Sequence, residues 1–216
     1  MLFLQSNFER GKQSLLFQNR RGYSPYIQCQ DCDWIAECNQ CDVSLTYHKA
    51  SGKLHCHYCG YKEDNITDCP ACGSKHITYK GLGTEKIEDD LRVILPDVKI
   101  ARLDYDTTRN KNAHQIILND FEDRKIDILV GTQMVAKGLD FDNITLIGII
   151  NADSIIQFPD FRAYERSFQM LSQVAGRAGR RAKQGKVIIQ TYDTQHRVIQ
   201  QVVANDYEGM YREEMI

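Results

Sequence analysis

Residues 126–150 read IDILVGTQMVAKGLDFDNITLIGII, and the pattern within them decides the architecture. Ile126–Val130 and Thr145–Ile150 are short runs dominated by Ile, Val and Leu, broken by glycine and charged residues, as buried strands are. A strand that is apolar almost throughout needs cover on both faces, which is the mark of a parallel sheet. The same kind of run recurs at Val98–Leu103, at Lys186–Thr191 and as SLLFQN at 14–19. Between these runs, Thr84–Leu95, Ala113–Arg124 and Ala163–Ala175 carry helical periodicity. Strand–helix alternation predicts an α/β sheet covered by helices. A helix-like start precedes SLLFQN, and residues 196–216 predict one more helix. The Asp104–Arg109 run reads as a polar loop, and Thr84 with Glu85 and Glu88 suits a helix start.

Composition narrows the function classes. With 42% hydrophobic residues, 4 Pro and 14 Gly in 216, the chain is neither disordered nor collagen-like. No stretch approaches the roughly 20 apolar residues of a membrane span. The opening MLFLQSNFERGKQSLLF meets polar and acidic residues too early for a secretory signal, so a cytoplasmic location and no membrane partner are expected. The formal charge of −2 excludes a general basic coat; contact with nucleic acid has to come from local clusters.

All eight cysteines lie between Cys29 and Cys72, as four Cys-x-x-Cys pairs. Without an export signal, paired thiols at this spacing read as metal ligands rather than disulfides. Four pairs make two four-cysteine zinc sites. Five residues, 33–37, separate the first two pairs, which is short for two knuckles of one site. Fourteen residues, 42–55, separate the second and third pairs, a usual zinc-ribbon linker. The expected scheme is therefore nested. Cys29, Cys32, Cys69 and Cys72 hold one zinc and close the neck of an insertion; Cys38, Cys41, Cys56 and Cys59 hold the other. A crossed scheme, first pair with third and second with fourth, stays open. Iron–sulfur or redox readings fit less well, because no redox partner is indicated. With every ligand a cysteine, no coordination position is left open, so both metals are structural. His48, His55, His57 and His76 are then surplus and read as solvated or capping residues. Trp34, Tyr47, Tyr58 and Tyr61 read as a miniature core rather than a base-stacking surface.

Two motifs carry chemistry. Gly131-Thr132-Gln133 directly follows a buried strand, and Lys137-Gly138-Leu139-Asp140-Phe141 comes next; the carboxyl ends of parallel strands are where ligands bind. Downstream, Gln173-x-x-Gly176-Arg177-x-Gly179-Arg180 places Gln173, Arg177 and Arg180 at i, i+4 and i+7, one face of a helical path. Two glycines in a helix are costly, and arginine forks match phosphate oxygens. Arg181, Lys183 and Lys186 read as a solvated basic patch.

These two segments resemble motifs V and VI of superfamily 2 helicases. Asn19-Arg20-Arg21-Gly22-Tyr23 after the first strand, the doubled cysteine module and Gly81-Leu82-Gly83-Thr84-Glu85 beyond it resemble one family in particular, the PriA-type primosomal replication-restart helicases. The resemblance covers nearly the whole chain. It implies a RecA-like parallel-sheet lobe, discontinuous over residues 1–27 and 77–192, with an inserted double-zinc module at 28–76. Residues 193–216 would be the helical start of a truncated C-terminal region. It also implies the nested zinc pairing. No Gly-x-x-x-x-Gly-Lys-[Ser/Thr] loop occurs in these 216 residues, so the chain is expected to be the second motor lobe and inactive alone.

The implied function is ATP-dependent, 3′-to-5′ unwinding of DNA at stalled forks, with recruitment of primosome proteins and single-stranded DNA-binding protein. The implied roles are arginine fingers at Arg177 and Arg180 with Gln173 beside them, and nucleotide contacts from Gly138, Asp140 and Gly176. DNA contacts would come from Thr132 and Gln133, with Asn19, Arg20 and Arg21 near the path. The cofactors are two structural zinc ions, with ATP and Mg2+ as substrate of the full-length enzyme. From another class stands a zinc-dependent protein-interaction scaffold without motor activity. A lobe working on RNA is the third reading, and the cysteine insertion argues against it.

Overall fold

The structure is a computed structural model that describes residues 2–20, 22, 26–41, 43–108, 110, 112–135, 143–157, 160–179 and 185–214. In chain order the elements are α1 (Leu2–Glu9), β1 (Gln13–Phe17), β2 (Tyr26–Cys29), β3 (Thr46–His48), β4 (Lys53–His55), β5 (Lys62–Asp64) and β6 (Ile77–Lys80). There follow α2 (Thr84–Ile94), β7 (Ile100–Leu103), α3 (Ala113–Glu122), β8 (Ile128–Gly131) and β9 (Ile144–Ile149). The last five are α4 (Asp153–Ile156), α5 (Ala163–Ala175), β10 (Lys186–Ile189), α6 (Arg197–Ala204) and α7 (Tyr207–Glu214). They form two compact units: residues 1–19 with 95–216, and residues 20–94. The composition boundaries 28 and 76 fall inside the second.

In the first unit, five parallel strands lie in the order β10-β9-β1-β8-β7. β1 is central and buried along its whole length, as its QSLLF sequence requires. Leu15 and Phe17 point to one face, with Leu103, Ile147, Ile149, Phe168, Leu171, Val174 and Val198 in a single core. Each such side chain contributes about 1.5–3 kcal/mol by leaving water. The buried amide of Gln13 donates to the carbonyls of Phe121 and Ile126 at 2.6 and 2.7 Å, fastening β1 to the turn before β8.

The strands expected from the sequence all form, shortened or shifted by a residue or two, and α5 has the expected limits. The single helix expected over 196–216 is two. Asn205 takes a left-handed φ of 53°, ends α6, and lets α7 fold back against α5. Among the described residues, no helix is long and apolar enough to cross a membrane.

The second unit holds a two-stranded ribbon, β2 with β6, and a three-stranded antiparallel sheet, β3-β4-β5. Its small core is Ile27, Ala36, Leu45, Leu54 and two cysteines, with Trp34, Tyr47, Tyr61 and Tyr79 packed on it. Tyr58 departs from the miniature-core expectation and is exposed, standing between Cys56 and Cys59 in the cysteine turn. His48 and His55 depart from theirs as well. They are buried and stacked at 4.4 Å, with His57 edge-on to His48 at 5.1 Å.

Candidate metal centres and motif loops

Each cysteine pair is built by the same turn. The backbone N–H of the first cysteine donates to the carbonyl five residues on: Cys29 to Trp34, Cys38 to Val43, Cys56 to Tyr61 and Cys69 to Ser74, at 2.7–2.9 Å. In three of the turns the residue after the second cysteine, Asp33, Gly60 or Gly73, has a φ of 59–78° and donates its N–H back to the first cysteine's carbonyl. In the other pair this residue is Asp42, which lies outside the described residues. A glycine or aspartate directly after each Cys-x-x-Cys was the available signal, since these residues tolerate left-handed backbone best. Sequence reading of the cysteines alone passes over it.

The four turns bring the sulfurs into two groups, Cys29, Cys32, Cys69 and Cys72, and Cys38, Cys41, Cys56 and Cys59. Within each group all four Sγ atoms lie within 4.8 Å of one another. Cys29–Cys72, Cys32–Cys69 and Cys38–Cys59 are 3.7, 3.6 and 3.6 Å apart. A disulfide needs about 2.05 Å. A tetrahedron with zinc–sulfur bonds of about 2.3 Å has edges of about 3.8 Å. The groups therefore fit a four-thiolate metal, and the arrangement is nested rather than crossed. β2 and β6 carry the first group at the base of the module, where Cys29 pairs with Ile77 across the ribbon.

The thiols are electrically mixed. Burial pushes the Cys29 thiol up, but N–H groups of Asp31 and Cys32 and the neighbouring thiols outweigh it and bring it to about 7. Cys56 comes to about 7 in the same way, with N–H groups of Cys59 and Tyr58 overcoming its burial. Cys32 is pushed to about 12: an N–H at Trp34 favours its thiolate, but Cys72, burial, Cys69 and Cys29 together prevail. Cys41 is pushed to about 12, first by Cys59 and then by burial. Each group thus favours one thiolate and resists the next, a conflict that a divalent cation removes.

At the carboxyl end of β8, Gly131 is where a side chain cannot go. A Cβ there would lie 2.2 Å from Val135 Cγ1 and 2.9 Å from the Leu103 carbonyl oxygen. The Gly-Thr turn is thus dictated by packing. Thr132 is buried and its N–H donates to Leu103, while Gln133 is exposed at the start of a 3-10 turn, Gln133–Val135. Asn19 is half-buried just beyond β1, and Arg20 is exposed. Gly138, Asp140 and Arg21 lie outside the described residues.

Gly22, with a φ of 82°, sits where a Cβ would meet Thr46 Cγ2 at 2.7 Å. Thr84 and Glu85 do more than start α2. Their N–H groups donate to the carbonyls of Arg20 and Gly22, and Glu85 Oε1 accepts from the Ala50 N–H at 2.9 Å. Asp104 was missed within its polar run: it is fully buried, pairs with Arg102 at 3.4 Å, and accepts the N–H groups of Asp106 and Thr107.

The arginine motif departs from the helical expectation. α5 ends at Ala175, and Gly176 caps it with its N–H on Ser172. Gln173 is exposed on the last helical turn, while Arg177 stands in the turn beyond and is half-buried rather than solvent-facing. Gly179 then leaves helical geometry with a φ of 72°, and its N–H donates to Ile144, tying the turn to the amino end of β9. Arg177 thus stands beyond the last residue of α5 rather than on its face with Gln173, and only Gly179 takes the backbone out of helical geometry. Arg180 lies outside the described residues.

A five-stranded parallel lobe with these loops, carrying two four-cysteine groups on an insertion after its central strand, has the fold of a helicase C-terminal lobe with a cysteine-rich module. Residues 77–182 match the Helicase conserved C-terminal domain, and residues 38–63 match the PriA DNA helicase Cys-rich region (CRR) domain. The family resemblance read from the motifs is borne out over nearly the whole chain. The Replication restart protein PriA of Bacillus subtilis is 48% identical over 98% of this chain and 26% of its own length. Those of Synechocystis sp. and Borreliella burgdorferi are 46% and 45% identical, over 94% and 98% of this chain and 25% and 32% of theirs. The chain thus spans a quarter to a third of these relatives. S. cerevisiae Dbp5 L327V bound to RNA and ADP BeF3 aligns over 94% of this chain and 34% of that chain, at 12% identity and a TM-score of 0.43.

Proposed function

We propose that this chain is the C-terminal motor lobe of an ATP-dependent, 3′-to-5′ DNA helicase that restarts stalled replication forks and begins primosome assembly in the bacterial cytoplasm. The observation that carries the reading is the joining, in one chain, of a parallel helicase lobe to two complete four-cysteine groups. The relatives that match it over nearly its whole length are replication restart proteins.

In this reading the eight cysteines hold two structural zinc ions. Each ion supplies positive charge that lets four thiolates coexist, and no step of the reaction passes through it. Thr132 and Gln133, at the carboxyl end of β8, contact the DNA backbone, with Asn19, Arg20 and Arg21 along the path. Gly138, Asp140 and Gly176 face the nucleotide. ATP with Mg2+ is the substrate of the full-length protein. As its γ-phosphoryl group departs, negative charge spreads over the oxygens, and the guanidinium groups of Arg177 and Arg180 stabilise it. Because α5 ends at Ala175, Arg177 approaches from beyond the helix end, with Gln173 on the last helical turn behind it. Forked DNA, primosome proteins and single-stranded DNA-binding protein are the partners.

The test is made in the full-length protein. Arg180→Ala is expected to lower ATP turnover by about 10³-fold, the scale of an arginine finger, with DNA affinity nearly unchanged. Unwinding is expected only from a 3′ single-stranded tail. Near-normal turnover would remove Arg180 from the reaction. If Gln173, Arg177 and Arg180 all proved dispensable for fork restart while the cysteines did not, the scaffold reading would replace this one.

A further inference from the structure

On the face of the sheet away from α5 lies a cavity of about 490 Å3, between α1 and the amino ends of β9 and β10. The face follows from strand alternation. Val187 and Ile189 pack into the core, so Lys186 points to the other side, as does its cross-strand partner Leu146. Phe3 and Ser6 line the cavity from one face of α1, and Arg10 lines it from the turn that follows; Lys12, Thr145 and Lys186 complete it.

Side-chain hydrogen bonds hold the frame of the cavity. Asn7 holds α1 in place through the Gln13 carbonyl and the Ser14 hydroxyl, at 3.0 and 2.9 Å, and accepts from the Thr145 hydroxyl at 2.8 Å. Lys186 Nζ stands 3.4 Å over the Phe3 ring, which steadies the ammonium without neutralising it. Lys12 Nζ donates only to the neutral Asn143 side chain, at 3.3 Å. Among the described residues no carboxylate lines the cavity, and Arg10, Lys12 and Lys186 are in no ion pair. Several arginines elsewhere, Arg92, Arg162, Arg166, Arg197 and Arg212, each have a carboxylate partner. Three cations on one cavity, in a chain whose formal charge is −2, form a local basic cluster.

We propose that this cavity is a phosphate-binding site, taking either the phosphodiester groups of a nucleic-acid strand or the phosphates of a free nucleotide. A single carboxylate would leave two of the three cations unneutralised. Phosphate groups supply more charge and more acceptor oxygens for the guanidinium, two ammonium groups and the Ser6 hydroxyl. None of these residues belongs to the arginine motif or the Thr132 turn, so this proposal and the motor reading stand or fall separately.

The test compares the zinc-loaded chain with its Arg10→Ala/Lys12→Ala/Lys186→Ala variant. Binding of fluorescein-labelled dT12 is followed by anisotropy across a salt series, and binding of inorganic pyrophosphate by calorimetry. Melting curves of the two chains are expected to coincide, since none of the three side chains sits in the core. If the strand supplies the phosphates, the variant's slope of log K against log salt becomes shallower by about 2, and its affinity at low salt drops about tenfold or more. If a free nucleotide supplies them, pyrophosphate binds the parent chain and not the variant, while dT12 binding is unchanged. If the variant binds dT12 with the same slope and the parent chain does not bind pyrophosphate, the proposal is overturned.

Discussion

Asp33, Gly60 and Gly73 each bend the backbone left-handed directly after a cysteine pair, and the metal groups depend on that bend. No neighbour lies within 4 Å of a Cβ built on Gly60 or Gly73, so any penalty there comes from backbone strain alone. Gly73→Val is expected to cost about 1–2 kcal/mol, the usual penalty of left-handed geometry for a side chain with a Cβ. Asp33→Gly is expected to be neutral or stabilising. Thermal unfolding of the zinc-loaded chain reads both, and an unchanged melting point for Gly73→Val would remove the bend from the argument. The thiols add a second expectation. In each group two are held above the ordinary value, Cys32 and Cys72 in one, Cys38 and Cys41 in the other. At pH 7 these are protonated, so each zinc displaces at least those two protons. Cys29 and Cys56, at about 7, are mostly ionised at pH 8 and mostly protonated at pH 6. Protons released per ion should therefore rise as pH falls between those limits, and zinc affinity should fall with them. Zinc titration in weak buffer counts the protons; a release that stays flat with pH contradicts this account.

Among the elements, the strands and α5 were legible because hydrophobic period depends on neighbours in the chain. The ends of elements were not. Gly176 and Gly179 read as costly helical residues, whereas the backbone exits the helix there to reach Ile144, a partner 35 residues upstream that no local pattern announces. The break between α6 and α7 at Asn205 was hidden for a related reason: a single left-handed residue reverses a helix without altering its apolar stripe. Gly131 shows the converse. It was read as part of a ligand-binding loop at a strand's carboxyl end, and its neighbours show that Val135 and the Leu103 carbonyl leave no room for a methyl group. Gly131→Ala should therefore destabilise the sheet unit by about 1–3 kcal/mol through overpacking. Pairing it with Val135→Ala should recover part of the loss, since the nearer clash is with that side chain. Denaturant midpoints of the two variants check this, and a fully stable single variant would overturn it.

For the molecule as a whole, the insertion was legible because cysteine usage changes abruptly at 29 and 72, and spacing favoured the nested grouping. That α2 groups with the module was not legible. It rests on Thr84, Glu85 and the Lys49–Asp89 ion pair at 2.5 Å, contacts that composition cannot register. Removing metal should thus cost order throughout residues 20–94, while the sheet of the other unit keeps its amide protection, because its core contains no cysteine. Hydrogen exchange with and without chelator reads this, and loss of protection in β1, β8 and β9 would show the two units to be one. The strand order has a consequence for how the chain is made. β1 leaves the ribosome well ahead of its two partners, which begin at Ile128 and Ile144. At about 5–20 residues per second, an apolar QSLLF edge stays unsatisfied for roughly 6–20 s. Throughout that interval the cysteine module can close and take up its metal, which shortens the path by which β1 meets the partners made after it.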